Sequence, residues 1–205
     1  MLRLNETDKK RIEAAVAAAE ARTAAEFAVT VARASDRYAA YPLAWSTGLA
    51  LAAGGVLMLA RPMTSGSILL SAVSALFIVL AIALNFPGLR HRLAPGRIKR
   101  AQVERLALAQ FAQHVQGRTH GKVGVLLFVS LAEHHAQILV ERGIADAVPQ
   151  QQWQATIDKL TTAIAAGRLG EGVEMALKDA ASLLAPHFPL AAGDRNELPD
   201  QVREV

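Results

Sequence analysis

Three carboxylates are the best placed for chemistry. Glu26 opens an alternating apolar stretch, Glu141 closes another, and Asp146 follows shortly after. Gathered at one end of a sheet, their oxygens would hold a hard divalent cation such as Ca²⁺ or Mg²⁺, and such an ion activates water for hydrolysis. A structural role competes with this reading, in which Glu26 caps its strand and pairs with a neighbouring base. Glu171 and Glu174 lie three apart at helical spacing and read as solvated. The histidines are His91, His114, His120, His134, His135 and His187, with no His-Glu-x-x-His spacing. His134 and His135 are adjacent, so beside a strand they point to opposite sides and do not grip one metal. Gly117–Gly124, "GRTHGKVG", is not a phosphate loop. It has three residues between Gly117 and Gly121, it precedes a strand, and Lys122 is followed by Val123. The chain has no Cys, which excludes disulfide scaffolds, thiolate zinc sites and cysteine nucleophiles.

Something must position these residues, and the composition says what. Of 205 residues, 52% are hydrophobic and only 5% aromatic, and the mean hydropathy is +0.24. Disorder, collagen and coiled coil are excluded by that balance. The charge is uneven. Residues 1–42 carry 7 basic and 6 acidic side chains, residues 90–122 carry 8 and 1, and residues 123–205 carry 6 and 11. Residues 43–89 contain Arg61 alone.

Between Arg37 and Arg61 lie 23 uncharged residues, and between Arg61 and Arg90 another 28. Spans at 43–60 and 68–86 meet the requirement of roughly 20 apolar residues for a bilayer. Pro62 and Gly66 break the chain between them, which makes a hairpin. Ala44, Gly48 and Ala52, with Ser67, Ser71 and Ala75, are small residues at four-residue spacing, the pattern that brings helices together in lipid. Tyr41, Trp45 and Phe86 suit the interface. Arg33 and Arg37 precede the first span, while Arg90, Arg92, Arg97, Lys99, Arg100 and Arg105 follow the second. Basic residues stay on the cytoplasmic side, so both termini are expected there, in a multi-pass protein of the cytoplasmic (plasma) membrane. The cluster favours anionic headgroups. No aromatic residue interleaves Arg90–Arg105 for base stacking, so no nucleic acid is expected as a partner.

The flanking sequence is periodic. Residues 5–25 read as a helix with Ile12, Val16 and Ala19 inward, and Glu26–Arg33 as a strand. Lys99–Val115 reads as a helix through Val103, Leu106, Gln110 and Phe111. Val123–Val129 has strand length and is apolar throughout, as for a strand covered on both faces. Ala136–Val140 follows as an antiparallel partner. Pro149 opens a helix through Trp153, Ile157, Leu160 and Ile164. "AAGRLGEG" then breaks the chain before a helix through Val173, Ala176, Leu177, Ala180 and Leu184. The fold class is α/β, a small sheet sandwiched by helices and interrupted by a two-helix transmembrane hairpin. A lone strand is not stable, so residues 1–42 and 97–200 are expected to form one split domain, with 201–205 as a tail.

Four motifs run through this domain: Glu20-x-x-Thr23-x-x-Glu26-Phe27-x-Val29; Thr119-x-x-Lys122-x-Gly124-Val125-Leu126-x-Phe128; Gly143-Ile144 followed by Trp153; and Phe188-Pro189 with Asn196-Glu197-Leu198-Pro199. In that order the chain resembles the TPM-domain family, specifically its membrane-inserted bacterial branch. Lys122 stands where the family often has Arg, and Val140-Glu141 where it often has Gly-Asp. The resemblance implies an α/β/α sandwich of undefined biochemical role, with phosphatase activity and divalent-cation binding proposed for some relatives. The expected function is therefore a membrane-anchored, non-enzymatic accessory or interaction domain, with the bilayer and another membrane protein as partners. The alternative is a metal-dependent phosphatase or hydrolase.

Overall fold

The computed structural model describes residues 4–63, 65–116, 118–119, 123–190 and 198–205. The chain divides into two compact units, Met1–Ser35 with Arg100–Val205, and Asp36–Lys99.

In the first unit, α1 (Glu6–Glu20) begins where the Asn5 side chain accepts from the Asp8 N–H at 2.6 Å, with Glu6 and Asp8 in the positive first turn. Its buried residues Ile12, Val16 and Ala19 recur at helical spacing. The helix stops short of the expected Ala25. Beyond its end the Thr23 hydroxyl donates to the Phe188 carbonyl at 2.6 Å, and the Ala24 N–H donates to the same oxygen at 3.0 Å.

Four strands make the sheet: β1 (Glu26–Ala32), β2 (Gly124–Ser130), β3 (His135–Val140) and β4 (Arg203–Glu204). Their order is β3-β2-β1-β4. β1 and β2 are parallel and buried along their whole lengths. β3 is antiparallel to β2, with Val125 opposite Val140. Residues 203–204, within the expected tail 201–205, pair with β1 in parallel as a short edge strand.

Side-chain alternation splits the core in two. Phe27, Val29 and Val31 with Val125, Leu127 and Val129 face the larger cluster. It is covered by α1, α7 (Gln150–Ala165) and α8 (Leu169–Leu184), with Ile144 from the short α6 (Arg142–Ala147). Ala28, Ala32, Leu126 and Phe128 face the smaller cluster, covered by Val103 and Ala107 of α5 (Gly96–His114) together with Leu198. The sandwich of helices about a small sheet is as expected. Two details differ. On α5 the buried stripe is Val103, Ala107 and Gln110, with Leu106 and Phe111 only partly covered. The break before α8 is shorter than "AAGRLGEG", because only Gly167 takes a left-handed φ of 78°. Gly172 lies inside α8, where a Cβ would come within 2.7 Å of the Ala163 Cβ, so it sets the close approach of α7 and α8.

The second unit contains α2 (Ala40–Ala60), α3 (Gly66–Leu84) and α4 (Pro87–Leu93). Both α2 and α3 are long and apolar enough to cross a membrane. α3 buries no residue at all, and α2 buries Pro42, Ser46, Ala50 and Gly54. Small residues at four-residue spacing do line the seam, but two positions away from Ala44, Gly48 and Ala52. A Cβ at Gly54 would meet Val73 Cγ2 at 2.6 Å, whereas one at Gly48 would meet nothing within 4 Å.

Candidate functional site

Pairing register brings two of the three expected carboxylates to one end of the sheet. Glu26 lies opposite Gly124, and the Glu141 N–H donates to the Gly124 carbonyl at 2.9 Å. The row therefore reads Glu26, Gly124, Glu141 across three strands, on the face that carries Ala28 and Leu126.

Both acids are buried, at 6% and 5% exposure, which demands hydrogen-bond partners. Glu141 Oε2 accepts from the Gly124 N–H at 2.9 Å and from the Thr119 hydroxyl. A Cβ at Gly124 would come within 2.5 Å of Val115 Cγ1 and 3.0 Å of Glu141 Oε2, so glycine is what lets the carboxylate close on the strand. Glu26 Oε2 accepts from the Leu198 N–H at 3.0 Å, 172 residues away. The Glu26 N–H donates to the Val123 carbonyl at 3.2 Å.

Glu20 adds a third acid. Its Oε1 accepts from the Phe27 N–H at 2.9 Å. Burial pushes its carboxyl up to about 8 against the lowering effect of that hydrogen bond, and the negative charges of Glu26 and Asp200 push the same way. At neutral pH this side chain is therefore mostly protonated.

Asp146 is exposed on α6 and is not gathered with Glu26 and Glu141. Among the described residues no group of three or more acidic or histidine side chains is arranged to hold a metal ion. The motif residues instead join distant segments: Glu20 to β1, Thr23 to Phe188, Glu26 to Leu198, Thr119 to Glu141. Gly143 is half-buried on α6, and Trp153 is buried in the larger core. Lys122, Asn196 and Glu197 lie outside the described residues.

Sequence reasoning missed a polar cluster at the other end of the same face. Glu133 accepts from the Ser35 N–H at 3.2 Å and from the Ser130 hydroxyl, while the Ser35 and Ser130 hydroxyls are 2.9 Å apart. His135 lies opposite Ser130. Burial and Arg100 lower its pKa against the opposing pull of Glu133. Serine three residues before glutamate is a local hydrogen-bonding spacing that could have drawn attention to this turn. His134 in the same turn has a left-handed φ of 49°.

A layered α/β domain held by buried carboxylates, with an apolar helical hairpin between its first two strands, defines the class. Comparison adds a family likeness: residues 96–183 match the model of the TPM domain. In structure the chain is similar to the BA42 protein of the psychrophilic bacterium Bizionia argentinensis, solved by NMR. The TM-score is 0.61 and the identity 18%, over 98% of this chain and 95% of that one. At that identity the likeness is one of fold. No curated protein matches the sequence significantly.

Proposed function

We propose that this is a multi-pass TPM-domain protein of the bacterial cytoplasmic membrane. In this reading α2 and α3 form the spanning hairpin, and both termini and the sandwich lie in the cytoplasm. The observation that carries it is α3, a 19-residue helix of hydropathy 2.7 with none of its span buried. A soluble protein seldom leaves so much contiguous apolar surface in water. The cations after α3 support the sidedness.

The domain acts as a non-enzymatic interaction module beside another membrane protein. What supports this is the occupation of the motif carboxylates: Glu26 and Glu141 accept from backbone and hydroxyl donors that close the fold. Membranes washed with alkaline carbonate should retain the protein, and affinity capture after gentle solubilisation should recover a stoichiometric membrane partner. Release by carbonate contradicts the anchoring, and a monodisperse monomer contradicts the accessory role.

One observation favours the second reading, a hydrolase using Ca²⁺ or Mg²⁺. Beside burial, the charges of Glu26 and Asp200 raise the Glu20 carboxyl, and a bound cation would favour its ionised form. Phosphate release that depends on the ion and is abolished in Glu141→Ala would support it. Activity unchanged by that substitution removes Glu141 from the reaction.

A further inference from the structure

We propose that Phe86–Lys99 is an interfacial collar that binds the headgroups of anionic phospholipids. This rests on the membrane-spanning reading of α2 and α3 and extends it to the lipid that the protein selects.

The segment continues directly from α3. Phe86, Leu89 and Ile98 are 65%, 38% and 38% exposed, and among them stand Arg90, Arg92, Arg97 and Lys99. Apolar and cationic side chains interleaved at the end of a span are the chemistry of the headgroup–acyl boundary. No Asp or Glu occurs anywhere between Asp36 and Glu104, so the segment holds no acid to neutralise its own cations. None of the four collar cations is in an ion pair among the described residues.

The other entrance to the hairpin is different. Arg33 and Arg37 stand there with Asp36 between them, so the cationic excess is much larger at the exit from α3. Duplex nucleic acid offers phosphates but no hydrocarbon to cover Phe86, Leu89 and Ile98. An anionic bilayer offers both.

The test uses the full chain reconstituted into vesicles of phosphatidylcholine, alone or with a minority of phosphatidylglycerol, followed by amide hydrogen exchange. In the phosphatidylglycerol vesicles, amides of residues 90–99 should exchange about tenfold more slowly, as expected for several cations each drawn to an anionic surface. High salt should reverse the effect. The triple variant Arg92→Gln, Arg97→Gln, Lys99→Gln should lose it while α2 and α3 stay protected.

Equal exchange of 90–99 in both vesicles, with α2 and α3 protected, overturns the collar and leaves the anchoring intact. Unprotected α2 and α3 in both vesicles overturns the anchoring and the collar with it. Protection by sodium phosphate in zwitterionic vesicles would mean a free-anion site, and stronger protection by an RNA duplex would mean a nucleic-acid site. Either result overturns the lipid assignment.

Discussion

The sheet and the hairpin are built from the same aliphatic residues and treat them in opposite ways. Leu126 is 0% exposed and Leu70 is 68% exposed. In the sheet, polar groups are admitted to the interior and satisfied one by one, as Glu26 and Glu141 show. In α2, hydroxyls turn back onto their own helix, with Ser46 donating to the Pro42 carbonyl at 2.6 Å and Thr47 to the Leu43 carbonyl at 2.9 Å. The first region carries its apolar environment within the fold. The second leaves its apolar side chains outside, with none of α3 buried.

The identical substitution should therefore separate the two regions. Leu126→Ala should destabilise the sandwich by about 2–5 kcal/mol, the usual cost of a core leucine, measured by denaturant unfolding of the solubilised protein. Leu70→Ala should change that transition by less than about 0.5 kcal/mol. A comparable loss at Leu70 would mean that a protein surface covers α3.

A charge in α3 sharpens the contrast from the other side. Ile78 is 55% exposed near the middle of the helix, where Arg costs about 2.5–3.5 kcal/mol of membrane insertion. Ile78→Arg should shift protein from the carbonate-resistant to the soluble fraction, and unchanged partitioning would break the comparison. Within the hairpin, Gly54→Leu should separate α2 from α3 at about 1–3 kcal/mol, the range for overpacking. Gly48→Leu should be tolerated. Cross-linking between the two helices would read the difference.

A pH-dependent effect belongs to the sheet end. Glu20 ordinarily titrates near 4.5 and in the folded state near 8, so the folded protein holds that proton more tightly than the unfolded chain. Its contribution is complete below 4.5 and is lost as pH rises toward 8. Glu20→Gln keeps an oxygen for the Phe27 N–H and removes the ionisation, so the decline in Tm from pH 5 to pH 8 should be shallower. An unchanged slope would remove Glu20 as its source.

How much of this was legible beforehand follows from what each signal averages over. β1, β2 and β3 declared themselves because each is several residues long with an apolar pattern, and the hairpin because charge is missing over long stretches. β4 has only two residues, too few for any period, and exists through its pairing with β1. The seam of α2 was misplaced by two positions because the helix is rich in Ala and Gly, and several of its faces carry small residues at the same spacing. Glu26 and Glu141 were legible as a pair, since each terminates a strand. Their bonds to Leu198, Gly124 and Thr119 were not, because those depend on register and on chain folded back from far away. The Ser35–Ser130–Glu133 cluster escaped for the same reason, as it joins residues 98 apart in sequence.

The central claim is that the hairpin spans a bilayer and returns both halves of the split domain to the cytoplasm, and thiol accessibility tests it most directly. The chain has no Cys, so single cysteines at Ser65, between α2 and α3, and at Ser182, exposed on α8, can be probed in sealed cells with a membrane-impermeant reagent. The account predicts labelling at Ser65→Cys alone, with Ser182→Cys reacting only after the membrane is opened. Labelling of Ser182→Cys in sealed cells would contradict it.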